Sequence, residues 1–311
     1  MGLIYALGAY LSWGIVVPVH FRLLDSVPAG SILAHRIVWS SVLVVGLLAV
    51  LRRRVRNPFP LRRRHLLLVV SAGLIAVNWL LYLVAVQSGH MLDASLGYFI
   101  NPLMSVALGA LVLGERLRPV QAVAVGLAAA GVILAVVLAG HLPWLSLTLA
   151  ASFSLYGLVR KVVGVDAMVG FAAETFLLLP AAGLYLVLAA PSVVNGDPVR
   201  LGLLLLTGAT TALPLIWFAA AAQRLTLSTL GLMQYLAPSC LMALSVLVYG
   251  ERLEPHRLVL FVLIWLALAL WRRSSFSSFF LSLFFLFFFF FFFKQKTAYE
   301  IRLSLVGSEC V

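Results

Sequence analysis

Two charged side chains sit inside runs otherwise too apolar to hold them without a purpose. Arg36 interrupts the apolar stretch 30–51, and Glu174 interrupts 168–190. An ion at the centre of a bilayer costs about 2.5–3.5 kcal/mol on insertion scales, so each must face a cavity or a partner. A carboxylate in that position can take up a proton or a cationic solute group; a guanidinium can attract an anionic group or order the outer half of the protein. A structural role is equally open for both, each charge holding its own helices together through carbonyls and neighbours. At about 1.5 Å per helical residue, each charge lies roughly 10 Å deep from opposite faces, with about 10 Å between their levels. A direct ion pair between them therefore does not follow.

Polar and aromatic residues at helical spacing extend the candidate site. Asn78 and Tyr82 stand four apart, and Tyr98 and Asn101 three apart, so each pair shares a helix face. With Trp13, Trp79, Trp217 and Tyr235 they would form a mixed aromatic and amide wall suited to amphipathic or aromatic molecules. Taken singly, such residues more often bridge helices or sit at the membrane interface. Asn101 before Pro102 and Gln234 shortly before Pro238 stand out, because a proline in mid-helix frees carbonyls that can bind solute or permit bending. The histidines show no metal-ligand spacing, and no glycine-rich phosphate loop is visible. Neither a metal nor a cofactor is expected, and ATP is not expected to drive the protein.

The elements that must position these residues are membrane helices. The chain of 311 residues is 63% apolar and 10% charged, with a mean hydropathy of +1.11. These values exclude an ordinary soluble domain. The net charge of +12 lies in short connectors rather than on one polar face, so nucleic acid is not an expected partner. Charge, Gly and Pro cut the chain into ten spans at 3–24, 30–51, 66–87, 94–114, 119–139, 143–159, 168–190, 201–222, 229–249 and 257–271. The connector after the second carries Arg52, Arg53, Arg54, Arg56, Arg62, Arg63 and Arg64, which by the positive-inside rule puts it and the N-terminus in the cytoplasm. Arg116, Arg118, Arg160, Lys161, Arg224, Arg272 and Arg273 then also fall on the inner side.

Residues 87–119 repeat at 223–255 with a constant offset. Gln87 matches Gln223, Pro102 matches Pro238, and Gly114-Glu115-Arg116-Leu117 matches Gly250-Glu251-Arg252-Leu253. Two halves, 1–140 and 141–273, each hold five spans, and an odd number inverts the second in the bilayer. The fold class expected is all-α integral membrane, with ten helices in two inverted five-helix repeats. In each connector Gly114 or Gly250 ends a helix in the left-handed conformation, and Pro119 or Pro255 opens the next. The glutamate and arginine between them are read as solvated. A small-residue stripe at Ala122, Gly126 and Ala130 reads as a close-packing face. Beyond residue 273 the composition breaks into a phenylalanine run, Phe287 to Phe293, followed by Lys294 to Ile301, which resembles translated adapter sequence. Residues 274–311 are set apart as a non-native tail.

These features together resemble the EamA branch of the drug/metabolite transporter superfamily. Ser12-Trp13-Gly14, His35-Arg36-Ile37-Val38-Trp39-Ser40, Asn78-Trp79, Gly97-Tyr98-Phe99-Ile100-Asn101-Pro102 and Gln234-Tyr235-Leu236-Ala237-Pro238 are similar to the RarD group within it. The resemblance implies a permease of the bacterial inner membrane with two five-helix bundles around a central cavity, exporting small metabolites or drugs by alternating access. It implies a small-molecule partner, with a proton as candidate co-solute, and no enzyme activity. Two other readings stand beside it: a non-transporting membrane receptor or assembly factor, and a membrane enzyme acting on lipid, although no clustered acids or activated nucleophile is visible.

Overall fold

The computed structural model describes residues 1–51, 63–87, 91–139, 144–189, 197–248 and 262–266. Within these residues all regular structure is helical. The first rod runs over Gly2–Arg22 as α1 (Gly2–Leu11), a π-helical turn (Ser12–Val16) and α2 (Val17–Arg22). Then come α3 (Ala29–Val50), α4 (Arg63–Gln87), α5 (Met91–Leu113), α6 (Pro119–Ala139), α7 (Trp144–Val163), α8 (Ala167–Ala189), α9 (Pro198–Ala222), α10 (Leu227–Gln234) and α11 (Leu236–Leu247). Among the described residues six helical stretches are long and apolar enough to cross a membrane: Gly2–Arg22, Ala29–Val50, Leu96–Leu113, Ala167–Leu188, Pro198–Ala222 and Leu227–Leu244. Leu66–Tyr82 and Pro119–Leu134 are shorter apolar helices. The expected tenth span is described only at residues 262–266, which are helical. Gly250, the glutamate after it and residues 274–311 lie outside the described residues.

Local chemistry sets the helix ends. Gly114 adopts φ 66° where α5 stops, and Pro119 is the first residue of α6, as the repeated connector requires. Gly164 turns the chain between α7 and α8 with φ 62°. Asp197 caps α9 by accepting from the Val199 and Arg200 amides, with Pro198 in the first turn. The π-helical turn coincides with Ser12-Trp13-Gly14 and precedes Pro18, whose ring would collide with the Gly14 carbonyl in a regular α-helix.

The distribution of polarity is that of a protein solvated by lipid. Leu111 is 84% exposed, whereas Arg160 and Glu174 are each 1% exposed. Two compact units form: residues 1–116 with 134–238, and residues 117–133 with the chain from 239 onward. This grouping interleaves the two sequence halves. Within the first unit α5 packs along α7 and α10, α3 along α8 and α9, α4 along α7, and α1 along α9. Gly208 lets α9 approach α3 so closely that a methyl group there would lie 2.6 Å from the Trp39 carbonyl carbon. In the second unit Trp265 donates to the Ser239 hydroxyl at 3.1 Å. Gly126 faces open space among the described residues, so the Ala122, Gly126, Ala130 stripe makes no close contact at its centre there.

Candidate functional site

Arg36 reaches from α3 into a cluster built by four other helices, α2, α4, α5 and α9. Its Nε donates to the Thr211 hydroxyl of α9 at 2.9 Å. Its guanidinium lies 5.0 Å from the Phe21 ring centroid and 4.7 Å from that of Trp79, both cation–π distances. Tyr82 and Tyr98 are its electrostatic neighbours, and their rings meet edge-on with centroids 6.0 Å apart. Among the described residues no carboxylate pairs with Arg36, and its two terminal nitrogens have no acceptor. Unlike the unpartnered nitrogens of Arg160, they are not sealed from solvent. One turn on, Trp39 donates to His35 Nδ1 at 3.1 Å, so that nitrogen is an unprotonated acceptor and the imidazole is neutral.

Glu174 has a different setting, and it overturns the assignment of Arg160 to a cytoplasmic connector. α7 runs on to Val163, and Arg160 is buried within it, its Nη1 3.4 Å from Glu174 Oε1. Ser71 donates to Glu174 Oε1 at 2.6 Å and Tyr156 donates to Oε2 at 3.2 Å. Arg160 Nη2 donates to the Ala167 carbonyl at 2.9 Å, while its Nε and Nη1 have no hydrogen-bond partner among the described residues. Gly170 makes room for this guanidinium, since a Cβ there would collide with Nη1. Lys161, the next residue, donates to the Ala222 and Leu225 carbonyls at the end of α9, where a cation suits the helix dipole. The neighbouring Arg160 and Lys161 thus point to different tasks, which the sequence reading merged into one charged connector.

The remaining candidates divide between helix bridging and ring packing. Asn78 donates to the Leu149 carbonyl at 2.9 Å and the Ser152 hydroxyl at 3.0 Å, tying α4 to α7. Asn101 accepts from Ser154 at 2.7 Å, tying α5 to α7. Tyr235 donates to the Phe99 carbonyl at 3.1 Å, and Ser154 to the Asn101 carbonyl at 3.1 Å, so side chains take up carbonyls beside Pro102. α5 continues through Pro102, whereas the segment holding Pro238 breaks at Tyr235 into α10 and α11. Gln234 is buried at the end of α10. Trp13 packs against Tyr10, Phe153 and Phe218, a cluster that continues to Tyr156 and so to Glu174. Trp217 lies against Gly8. The single aromatic and amide wall expected from the sequence is thus two ring clusters plus amide bridges to α7.

Glu115 of the repeated connector also differs from its expected solvated state. Its carboxylate accepts from the Leu227 amide at 2.6 Å and from the Ser228 amide and hydroxyl at 2.9 and 2.7 Å, closing the N-terminus of α10. Four backbone donors are orphaned at any helix start, and a carboxylate there gains from the dipole as well.

Helices throughout the described residues, with lipid-type exposure and charges buried in the interior, define a multi-pass membrane protein. Residues 1–137 match the EamA-like transporter family. Protein RarD of Escherichia coli (strain K12) is 45% identical over 275 residues, covering 86% of this chain and 93% of that protein. An uncharacterized transporter of Vibrio cholerae is 46% identical over 86% of this chain and 91% of its own length. A chloramphenicol-sensitive protein RarD of Pseudomonas aeruginosa is 34% identical over 82% of this chain and 88% of its own length. A crystal structure that is 20% identical superimposes with a TM-score of 0.69 over 86% of this chain and 96% of that one, a likeness of fold. The chain belongs to the EamA-like transporter family and is a membrane transporter.

Proposed function

We propose that this transporter exports small metabolites or drugs across the bacterial inner membrane by alternating access, as a secondary or facilitative carrier with its N-terminus in the cytoplasm. Two inverted five-helix repeats rock about a central site in which Arg36 holds the solute. The observation that carries this reading is Arg36: a buried cation with free donors, no carboxylate partner among the described residues, and neighbours from both halves of the chain. Donors that reach solvent on an otherwise buried side chain can take a solute group without breaking an internal bond.

Two observations support the inverted repeat. The Tyr235 hydroxyl bonds to the Phe99 carbonyl, 136 positions away, which is the offset of the sequence repeat. A residue touching its own counterpart is what a two-fold relation produces at its axis. Helix partners also exchange: α4 packs on α7 in one half-pair and α9 on α1 in the other.

Glu174 is the candidate for proton coupling, acting through its contacts with Arg160, Tyr156 and Ser71 rather than as an isolated carboxyl. The full chain in liposomes loaded with a bacterial metabolite extract tests the carrier reading. A subset of solutes should leave faster than from protein-free vesicles, and Arg36→Gln should abolish the difference. No faster loss, or loss unchanged in Arg36→Gln, contradicts it. For Glu174→Gln, flux that still responds fully to a proton gradient removes the coupling role.

A further inference from the structure

We infer that the Arg36 site recognises an organic monoanion, a single carboxylate on a flat apolar body; this rests on the carrier reading above and names the class of solute the site takes. The charge comes first. Arg36 has no carboxylate partner among the described residues; neutral His35 adds no second positive charge, and His20, which lies in the field of Arg36, donates from Nε2 to the Leu203 carbonyl. One negative charge from the solute neutralises the site, whereas a dianion such as a phosphate monoester leaves an uncompensated charge in low dielectric.

The geometry of the donors narrows the anion further. Thr211 occupies Nε, which leaves the two Nη groups as the free end of the guanidinium fork. Two parallel N–H donors match the two oxygens of a carboxylate, and a lysine ammonium cannot reproduce that fit.

The walls then select the body. Phe21 and Trp79 present ring faces to the guanidinium, and Tyr82 and Tyr98 form an edge-on pair. Flat apolar solutes gain from such rings by burial and by offset or edge contact. A cationic amine of the same shape meets the Arg36 charge and is repelled.

Phenylacetate, phenylacetamide and phenethylammonium share a body and differ in charge, so they are suitable probes for the full chain in detergent, with binding read by tryptophan fluorescence. Phenylacetate should bind about tenfold or more tightly than either analogue, the scale of a lost charge-assisted hydrogen bond. Arg36→Lys should lose about tenfold or more of that binding while keeping the charge. Thr211→Val should weaken it less, because the cation remains; its melting temperature checks the fold independently of Arg36. Equal binding of acid and amide, or unchanged phenylacetate binding in Arg36→Lys, overturns the inference. Solute flux in liposomes with no anion preference in binding overturns the inference and leaves the carrier standing. Phenylacetate binding that depends on Arg36 without flux of any solute does the reverse.

Discussion

At the scale of the residue, the Arg160 and Glu174 pair is the feature with the largest energetic stake. Both are almost wholly buried, and breaking a buried pair by removing one partner leaves a charge without compensation. Glu174→Gln should therefore destabilise the protein by about 3–5 kcal/mol, measured by denaturant unfolding in detergent. The double variant Arg160→Met, Glu174→Gln should recover part of that loss, since it removes both charges. A double variant as unstable as the sum of the singles would mean the two do not interact. Arg36 and Glu174 were legible in the sequence because each interrupts an apolar run. Arg160 was not, because Lys161 beside it and Gly164 after it imitate a charged connector. Its remaining signal was spacing: Tyr156 and Arg160 are four apart and share one helix face, the face that turns to Glu174. Ser71 carried no signal at all, since a lone serine in an apolar helix bonds its own backbone as readily as a partner.

At the scale of the element, close helix contacts and helix ends do the positioning. Gly208→Ala would drive a methyl group into the Trp39 backbone, moving the helix that carries Thr211 against the helix that carries Arg36. Overpacking of this kind costs about 1–3 kcal/mol, and Gly126→Ala, facing open space among the described residues, should cost far less. A thermal-unfolding comparison of the two variants checks this contrast. Glu115→Gln keeps the shape of the α10 cap but loses its charge, which should cost about 0.5–2 kcal/mol of stability in the same assay. The glycine and proline of that connector were read from the sequence and recur in the structure as Gly114 at positive φ and Pro119 opening α6. The glutamate's target was not legible, because Leu227 and Ser228 are more than a hundred positions away and nothing local marks them. The π-helical turn at Ser12-Trp13-Gly14 was hidden for a similar reason: Pro18 signals a disturbance, but not whether the helix kinks or widens.

At the scale of the whole molecule, the repeat at offset 136 is the strongest statement in the sequence, and the Tyr235 to Phe99 hydrogen bond at the same separation supports its two-fold sense. The ten-span expectation comes from composition; the described residues are helical in the nine segments up to residue 248, with Gly2–Arg22 counted as one and α10 and α11 as one, and six of the helical stretches are long and apolar enough to cross a membrane. The amide wall did not survive as one surface, because Asn78 and Asn101 bond to α7, and only tertiary packing decides whether an amide faces a solute or a neighbour. Inversion of the second half is what makes a rocking carrier possible, so the sidedness of the two connectors is the central issue. It can be measured in a chain whose Cys240 and Cys310 are replaced by serine, carrying Arg116→Cys or Arg252→Cys, with a membrane-impermeant thiol reagent applied to intact cells and to inverted vesicles. Cys at 252 should label only in cells and Cys at 116 only in inverted vesicles; labelling of both from one side would contradict the inverted repeat.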